Sequence, residues 1–229
     1  NTESWNGTSW TEVNDLGTAR RYLKGAGPSS TAALAFGGYT TTDVANTEEW
    51  SFPSGPHLNE GDIFLSGGTT LKGFGKAGGI PSATWASGGN LNTPRGFNTG
   101  AGTQTAALSI SGYNPGGTPD TVENYNGTSW TEIAEVNAAR SEGGGFGTAS
   151  AGNFAGGYSP ASGGRVASNE SWNGSAWTEV TDMPAGTDNL MQGAGTQTAG
   201  MIVGGQTSPG AGGKSSQTVL YDGTNWTAG

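Results

Sequence analysis

The chain contains no cysteine, which excludes disulfide staples and thiolate chemistry without identifying a compartment. It has one histidine, His57. A zinc site lacks ligands on that count. A Ser-His-Asp triad would have to use His57, which follows Pro56 with no nucleophile motif near it. Positive charge is also scarce: 9 Lys and Arg stand against 18 Asp and Glu, for a net charge of −9. That balance argues against nucleic acid or an anionic membrane surface as partner. No apolar run approaches the roughly 18 residues of a bilayer-spanning helix, and no signal peptide is visible, so membrane insertion is not expected. The glycine-rich GAG segments are followed by no Lys-Ser/Thr and are not phosphate loops. No cofactor is expected. The first residue is Asn1 rather than Met, which suggests a processed chain or a piece of a longer one.

Glycine is abundant, at 44 of 229 residues, and apolar residues make up only 32%. Composition of that kind alone indicates low-complexity disorder. The order of the residues argues otherwise, because aromatic rings return at fixed spacings. TESWNGTSWTEV at 2–13 recurs as TVENYNGTSWTEI at 121–133, NESWNGSAWTEV at 169–180 and TVLYDGTNWTA at 218–228. A fifth copy opens with TEEW at 47–50 and is then interrupted. Between these copies lie segments such as GAGPSSTAALAFGGY at 25–39 and GAGTQTAALSISGY at 100–113. The uninterrupted period is about 45 to 50 residues, the length of one propeller blade.

Each part of the repeat has a physical reading. Asn6-Gly7, Asn126-Gly127, Asn173-Gly174 and Asp222-Gly223 predict tight hairpin turns in which Asn, Asp and Gly accept positive φ. An aromatic precedes each turn (Trp5, Tyr125, Trp172, Tyr221) and a Trp follows it (Trp10, Trp130, Trp177, Trp226). Both rings project from one face and are expected to touch diagonally, pinning the register. With Trp50 and Trp85 of the interrupted copy, these positions hold all eight tryptophans, so they read as core and inter-blade packing. Large and small residues alternate through Ala33, Leu34, Ala35 and Phe36, as strands crowded at a propeller axis require. The pairs Gly37-Gly38, Gly156-Gly157 and Gly204-Gly205 let the chain bend at the strand end, and Ser111-Gly112 is the variant.

These residues resemble the Kelch repeat: a hydrophobic strand, a glycine pair, then an aromatic and a Trp around a hairpin. The aromatic-to-Trp spacing is shorter than in typical Kelch repeats. The wording of the repeat is similar to Kelch-like proteins of tailed, especially marine, bacteriophages. The fold expected is an all-β, Kelch-like β-propeller with four-stranded blades at about 21–95, 96–140, 141–187 and 188–229, and a half blade at 1–20. The extra half blade implies either a piece of a longer propeller or a segment that pairs with a neighbouring subunit. The resemblance implies a virion appendage or tail-fibre module, and the lack of a catalytic or metal-binding constellation adds the expectation that the chain is not an enzyme. Its expected partners are copies of itself or other virion proteins, with a host glycan as possible ligand. The alternative is a secreted or cell-surface bacterial adhesin or filament protein.

Trp50 and Trp85 are separated by an insertion, 51–84, that reads as a projecting β-hairpin. It contains Phe52, His57, Phe64, Lys72 and Phe74, the candidate binding or contact residues. The other reading, which comes first, is a packing arm that covers an open sheet edge or contacts a neighbour. Arg20, Arg95 and Arg140 recur and read as bridges between blades, with sugar binding as the alternative. Glu3, Glu48, Glu123 and Glu170 share one repeat position, which suits a structural role better than a unique acid/base pair.

Overall fold

The computed structural model describes residues 1–5, 7–51, 63–66, 70–73, 84–188, 192–207 and 213–229. A hairpin of β1 (Thr2–Trp5) and β2 (Trp10–Val13) comes first. Sheet 1 follows, with β3 (Lys24–Ser29), β4 (Ala32–Phe36), β5 (Thr47–Ser51), an inserted pair β6 (Ile63–Ser66) and β7 (Thr70–Gly73), and then β8 (Thr84–Ser87). Sheet 2 contains β9 (Thr99–Thr103), β10 (Ala106–Ile110), β11 (Val122–Tyr125) and β12 (Trp130–Ile133). In sheet 3, β13 (Gly144–Gly147) and β14 (Gly152–Ala155) precede a short ribbon of β15 (Tyr158–Ser159) and β16 (Gly164–Arg165). β17 (Asn169–Trp172) and β18 (Trp177–Val180) complete it. Sheet 4 is β19 (Gln192–Thr196), β20 (Ala199–Val203), β21 (Thr218–Tyr221) and β22 (Trp226–Ala228).

The sheets are antiparallel meanders, β3-β4-β5-β8, β9-β10-β11-β12, β13-β14-β17-β18 and β19-β20-β21-β22. Their first strands are neighbours in the order β3, β9, β13, β19 and so line the axis. This is an all-β, four-bladed β-propeller. Among the described residues β19 and β3 make no comparable contact, which leaves the arc open there between the fourth sheet and the first.

The hydrophobic core lies between sheets, because a four-stranded antiparallel sheet has no room for one inside it. Leu34, Phe36 and Leu91 pack on Tyr125 and Trp130. Leu108, Ile110 and Phe154 pack with Trp172 and Trp177. Phe146 meets Ile202 and Tyr221. A few large rings therefore supply the apolar burial that the sparse composition otherwise lacks.

The turn chemistry differs from the sequence reading. The aromatic and the Trp are direct cross-strand partners, as in Tyr125↔Trp130 and Trp172↔Trp177, with ring centroids 5.0 and 5.3 Å apart. Direct pairing leaves a longer loop than a two-residue turn. Asn126 closes it through its side chain, Oδ1 accepting from the Thr128 and Ser129 N–H groups at 3.0 Å. Gly127, at φ 91°, takes the left-handed backbone, whereas Asn126 does not. The asparagine thus acts as an Asx turn and the glycine alone supplies positive φ.

Candidate binding face at one end of the axis

Each of the first three blades is entered through a linker that carries a buried arginine. Arg95 and Arg140 are fully buried, as is the Arg20 side chain. They pair with Glu123, Glu170 and Glu48, respectively, on the third strand of the blade being entered. The second carboxylate oxygen accepts a linker N–H, from Gly17 at 2.6 Å, Asn92 at 2.7 Å and Asn137 at 2.7 Å. Arg140 also donates to the carbonyls of Ala138, Phe154 and Gly156. Full burial removes the sugar-binding alternative for these arginines. Burial pushes the Arg95 and Arg140 guanidinium groups below their ordinary value, and the facing glutamates oppose that shift.

The fourth blade shows the logic of the pair. Thr187 stands at the arginine position and Val219 at the glutamate position. Both partners are replaced together, which avoids an unpaired buried charge. Thr187 Oγ1 keeps one of the linker bonds, donating to the Ala185 carbonyl at 3.2 Å. A less buried pair, Arg165 to Asp188 at 2.9 Å, ties the third blade to the fourth.

Two residues beyond each arginine, the repeat stops agreeing with itself: Tyr22, Phe97 and Glu142 occupy that position. All three have left-handed backbone, at φ 58°, 54° and 63°. Their strain is held by a ladder that runs round the axis, with Phe97 N–H donating to Tyr22 O at 3.2 Å and Glu142 N–H to Phe97 O at 2.9 Å. The Tyr22 and Phe97 rings stack 4.1 Å apart. Arg21 extends the face, its guanidinium 5.1 Å from the Tyr22 ring and 5.0 Å from that of Tyr39. The residues that follow the glycine pairs, Tyr39, Tyr113 and Tyr158, bridge to the same linkers. Tyr113 is 46% exposed and Tyr158 38%.

Just below this face Lys24 opens β3. Burial pushes its amine down to about 8, with Glu142 pulling the other way. Asp43, beside Gly96, is raised above the usual carboxylate range by burial, partly offset by the Gly96 N–H. The result is a set of aromatic platforms interspersed with Arg21, Asp43, Glu142 and Asn114. It is chemically suited to hold a ligand with apolar C–H faces and hydroxyl edges. No group of three or more His, Cys, Asp or Glu among the described residues is arranged to hold a metal.

Sequence reasoning concentrated on the insertion and missed this face. The signal available was the repeat's own disagreement at Tyr22, Phe97 and Glu142. Of the insertion candidates, Phe52, His57 and Phe74 lie outside the described residues. Phe64 on β6 and Lys72 on β7 are backbone partners in a separate two-stranded sheet. Trp50, Trp130, Trp172, Trp177, Tyr125 and Tyr221 are buried, Trp85 and Trp226 half-buried, and Trp5 and Trp10 exposed. The glycine positions 37, 38, 112, 156, 157, 204 and 205 all have positive φ. Ser111, where the pair is broken, keeps φ 49° and donates to Pro119 O at 2.5 Å.

Fold and face together define a four-bladed propeller with an aromatic axial surface. Among solved structures it is similar to that of YjhT, with a TM-score of 0.54 and 14% identity over 96% of this chain and 87% of that one. No protein-family model matches the chain, and no curated protein matches it. The fold is therefore shown, and a specifically Kelch repeat is not. This similarity corrects the phage reading: the shared fold is that of a distant bacterial, non-phage protein, and nothing in the comparisons points to phage or virion origin. The tail-fibre function and the virion location, drawn from that resemblance, are withdrawn with it, as is the flat exclusion of catalysis, which rested on the missing ligand and nucleophile motifs. The physical reason is that glycine pairs and Trp hairpins encode blade packing, which many functions share. Among the described residues no helix is long and apolar enough to cross a membrane.

Proposed function

We propose that the chain is a secreted or cell-surface bacterial protein that binds a neutral glycan on the axial face of Tyr22, Tyr39, Phe97, Tyr113 and Tyr158. The observation that carries this reading is the exposure of Tyr113 and Tyr158, which bridge to the linkers that carry Phe97 and Glu142, together with the Tyr22–Phe97 ring stack. An exposed aromatic on a rigid strand end costs little conformational entropy to present and offers a large apolar surface to a pyranose ring. Glu142, Asn114 and Arg21 supply hydrogen-bonding groups for hydroxyls. The net charge of −9 favours a neutral sugar over an acidic polymer.

The test is an array of bacterial and eukaryotic surface glycans probed with the wild-type chain and with Tyr113→Ala, Tyr158→Ala and the double variant. Retention of a neutral glycan, weakened at least about tenfold in the double variant at unchanged melting temperature, supports the reading. Undiminished retention by the double variant, or retention of no neutral glycan, refutes it. Chromatography of the retained sugar after incubation reads turnover in the same samples.

A further inference from the structure

The inner hairpins of sheets 2, 3 and 4 turn at the end of their strands remote from the axial aromatic face. The turns are Gly102-Thr103-Gln104-Thr105-Ala106, Gly147-Thr148-Ala149-Ser150-Ala151 and Gly195-Thr196-Gln197-Thr198-Ala199. Their leading glycines all have positive φ, at 108°, 98° and 101°, so the three turns are equivalent. In two of them the third residue is a glutamine that reaches across to the preceding blade. Gln104 Nε2 donates to Trp50 O at 2.8 Å. Gln197 Nε2 donates to Trp172 O at 2.7 Å, with Ser171 Oγ at 2.8 Å and Gly152 O at 3.2 Å beside it. The shared acceptor is the carbonyl of the aromatic residue on the third strand of that blade.

The turn of sheet 3 carries Ala149 at that place, and its methyl group has no donor to send to Tyr125 O, the corresponding carbonyl of sheet 2. A groove of about 560 Å³ opens there between the second and third blades. Thr105, Asn124, Tyr125, Thr148, Ala149 and Ser150 are among the residues that line it. Both walls are complete four-stranded sheets, so the opening comes from the residue at 149 and not from a missing strand. Asn124 holds the place of Ser171, one residue before the aromatic. It is half-buried, and among the described residues its side chain makes no hydrogen bond. The hydroxyl residues Thr105, Thr148 and Ser150 are exposed. Among the described residues no Asp, Glu, Lys or Arg lines the groove. A charged ligand would lose hydration there without a counter-charge, whereas an uncharged polar one finds partners.

We propose that this groove is a binding site for a primary carboxamide, the side chain of a glutamine carried on a short peptide. The carboxamide nitrogen donates to Tyr125 O, as Gln104 and Gln197 donate to Trp50 O and Trp172 O. Its second N–H and its oxygen meet the Asn124 amide, which offers both an acceptor and a donor. The groove is larger than one carboxamide, so residues on either side of the glutamine lie against the hydroxyls of Thr105, Thr148 and Ser150. The two internal glutamines identify the chemical group, because each fills the equivalent place at its own blade interface. The site is at the other end of the blades from the axial aromatic face and does not depend on what that face binds.

The probe is acetyl-Thr-Gln-Thr-N-methylamide, which repeats the sequence at 103–105 and 196–198. Titrated into the isotope-labelled 229-residue chain at millimolar concentration, it is expected to shift the Asn124, Ala149 and Ser150 amide resonances saturably. Glutamate for glutamine in the peptide should weaken binding at least about tenfold, because a carboxylate brings no donor to the Tyr125 carbonyl. Ala149→Gln supplies the carboxamide from within. It should abolish the shifts and raise Tm by about 2–4 °C, the value of one hydrogen bond in a chain of this size. The two peptides are compared on the wild-type chain, so the test stands whether or not the variant folds. No saturable shift overturns the proposal, as do equal binding of the two peptides and unchanged binding in Ala149→Gln. N-acetylglucosamine shifting the same resonances at lower concentration than the peptide assigns the groove to a sugar and also overturns it.

Discussion

Transplanting the fourth blade's solution into the third tests the packing logic directly. Glu170→Val leaves the Arg140 guanidinium fully buried without its counter-charge, and Arg140 cannot shed its proton. It also takes the acceptor from the Asn137 backbone and side-chain N–H groups. Breaking a buried pair from one side costs about 3–5 kcal/mol. For a chain of this size each kcal/mol lowers Tm by about 2–4 °C, so a fall on the order of 10 °C is expected. Arg140→Thr strands the carboxylate instead and opens space beside Phe154, over whose ring the guanidinium carbon sits at 4.0 Å. The double variant reproduces Thr187 and Val219. A threonine at 140 can donate to the Ala138 carbonyl as Thr187 does to Ala185. The double variant should therefore be more stable than Glu170→Val alone, with a coupling of at least about 1 kcal/mol in a urea double-mutant cycle. Additive losses would refute the reasoning, since they would mean that the two side chains stabilise the blade independently.

Two further predictions rest on other parts of the structure. Lys24 has its folded-state pKa pushed from 10.5 down to about 8. Between those values the unfolded chain binds the extra proton, so stability should rise with pH from about 8 towards 10, by at most about 3 kcal/mol. Tyr125, pushed up to about 12 by burial and by its bond to Glu49, reverses the trend above pH 10. Thermal melts across this range should show the rise in wild type and not in Lys24→Met; a rise of equal size in the variant would assign it elsewhere. Trp177→Ala, which empties a position 6% exposed, should cost about 3–5 kcal/mol in urea denaturation. Trp10→Ala, at a position 65% exposed, should cost within about 0.5 kcal/mol. Equal losses at the two sites would contradict the open arc.

The propeller was legible because its determinants are local and repeated. An aromatic five residues before a Trp, with Asn-Gly between, fixes a hairpin, and a glycine pair ends the strand before it. The turn type was misread because the pair Tyr125–Trp130 sits directly across the ladder, and cross-strand register depends on both strands. The arginines read as bridges between blades, whereas each ties its linker to strands of the one blade it enters, and their glutamate partners were not legible. Arg95 and Glu123 are 28 residues apart, and only the closing of the blade brings them together.

The chain order of aromatics, glycines and small residues by itself determined four blades, because each blade is built from contacts within one repeat. The axial face was decided by tertiary structure alone. Tyr22, Phe97 and Glu142 lie in different repeats and meet because the first strands converge on one axis. The exposure of Gly25, Glu3 and Trp5 was decided there too. Each has a buried counterpart one blade further on, and burial depends on what packs against a residue rather than on the repeat that encodes it.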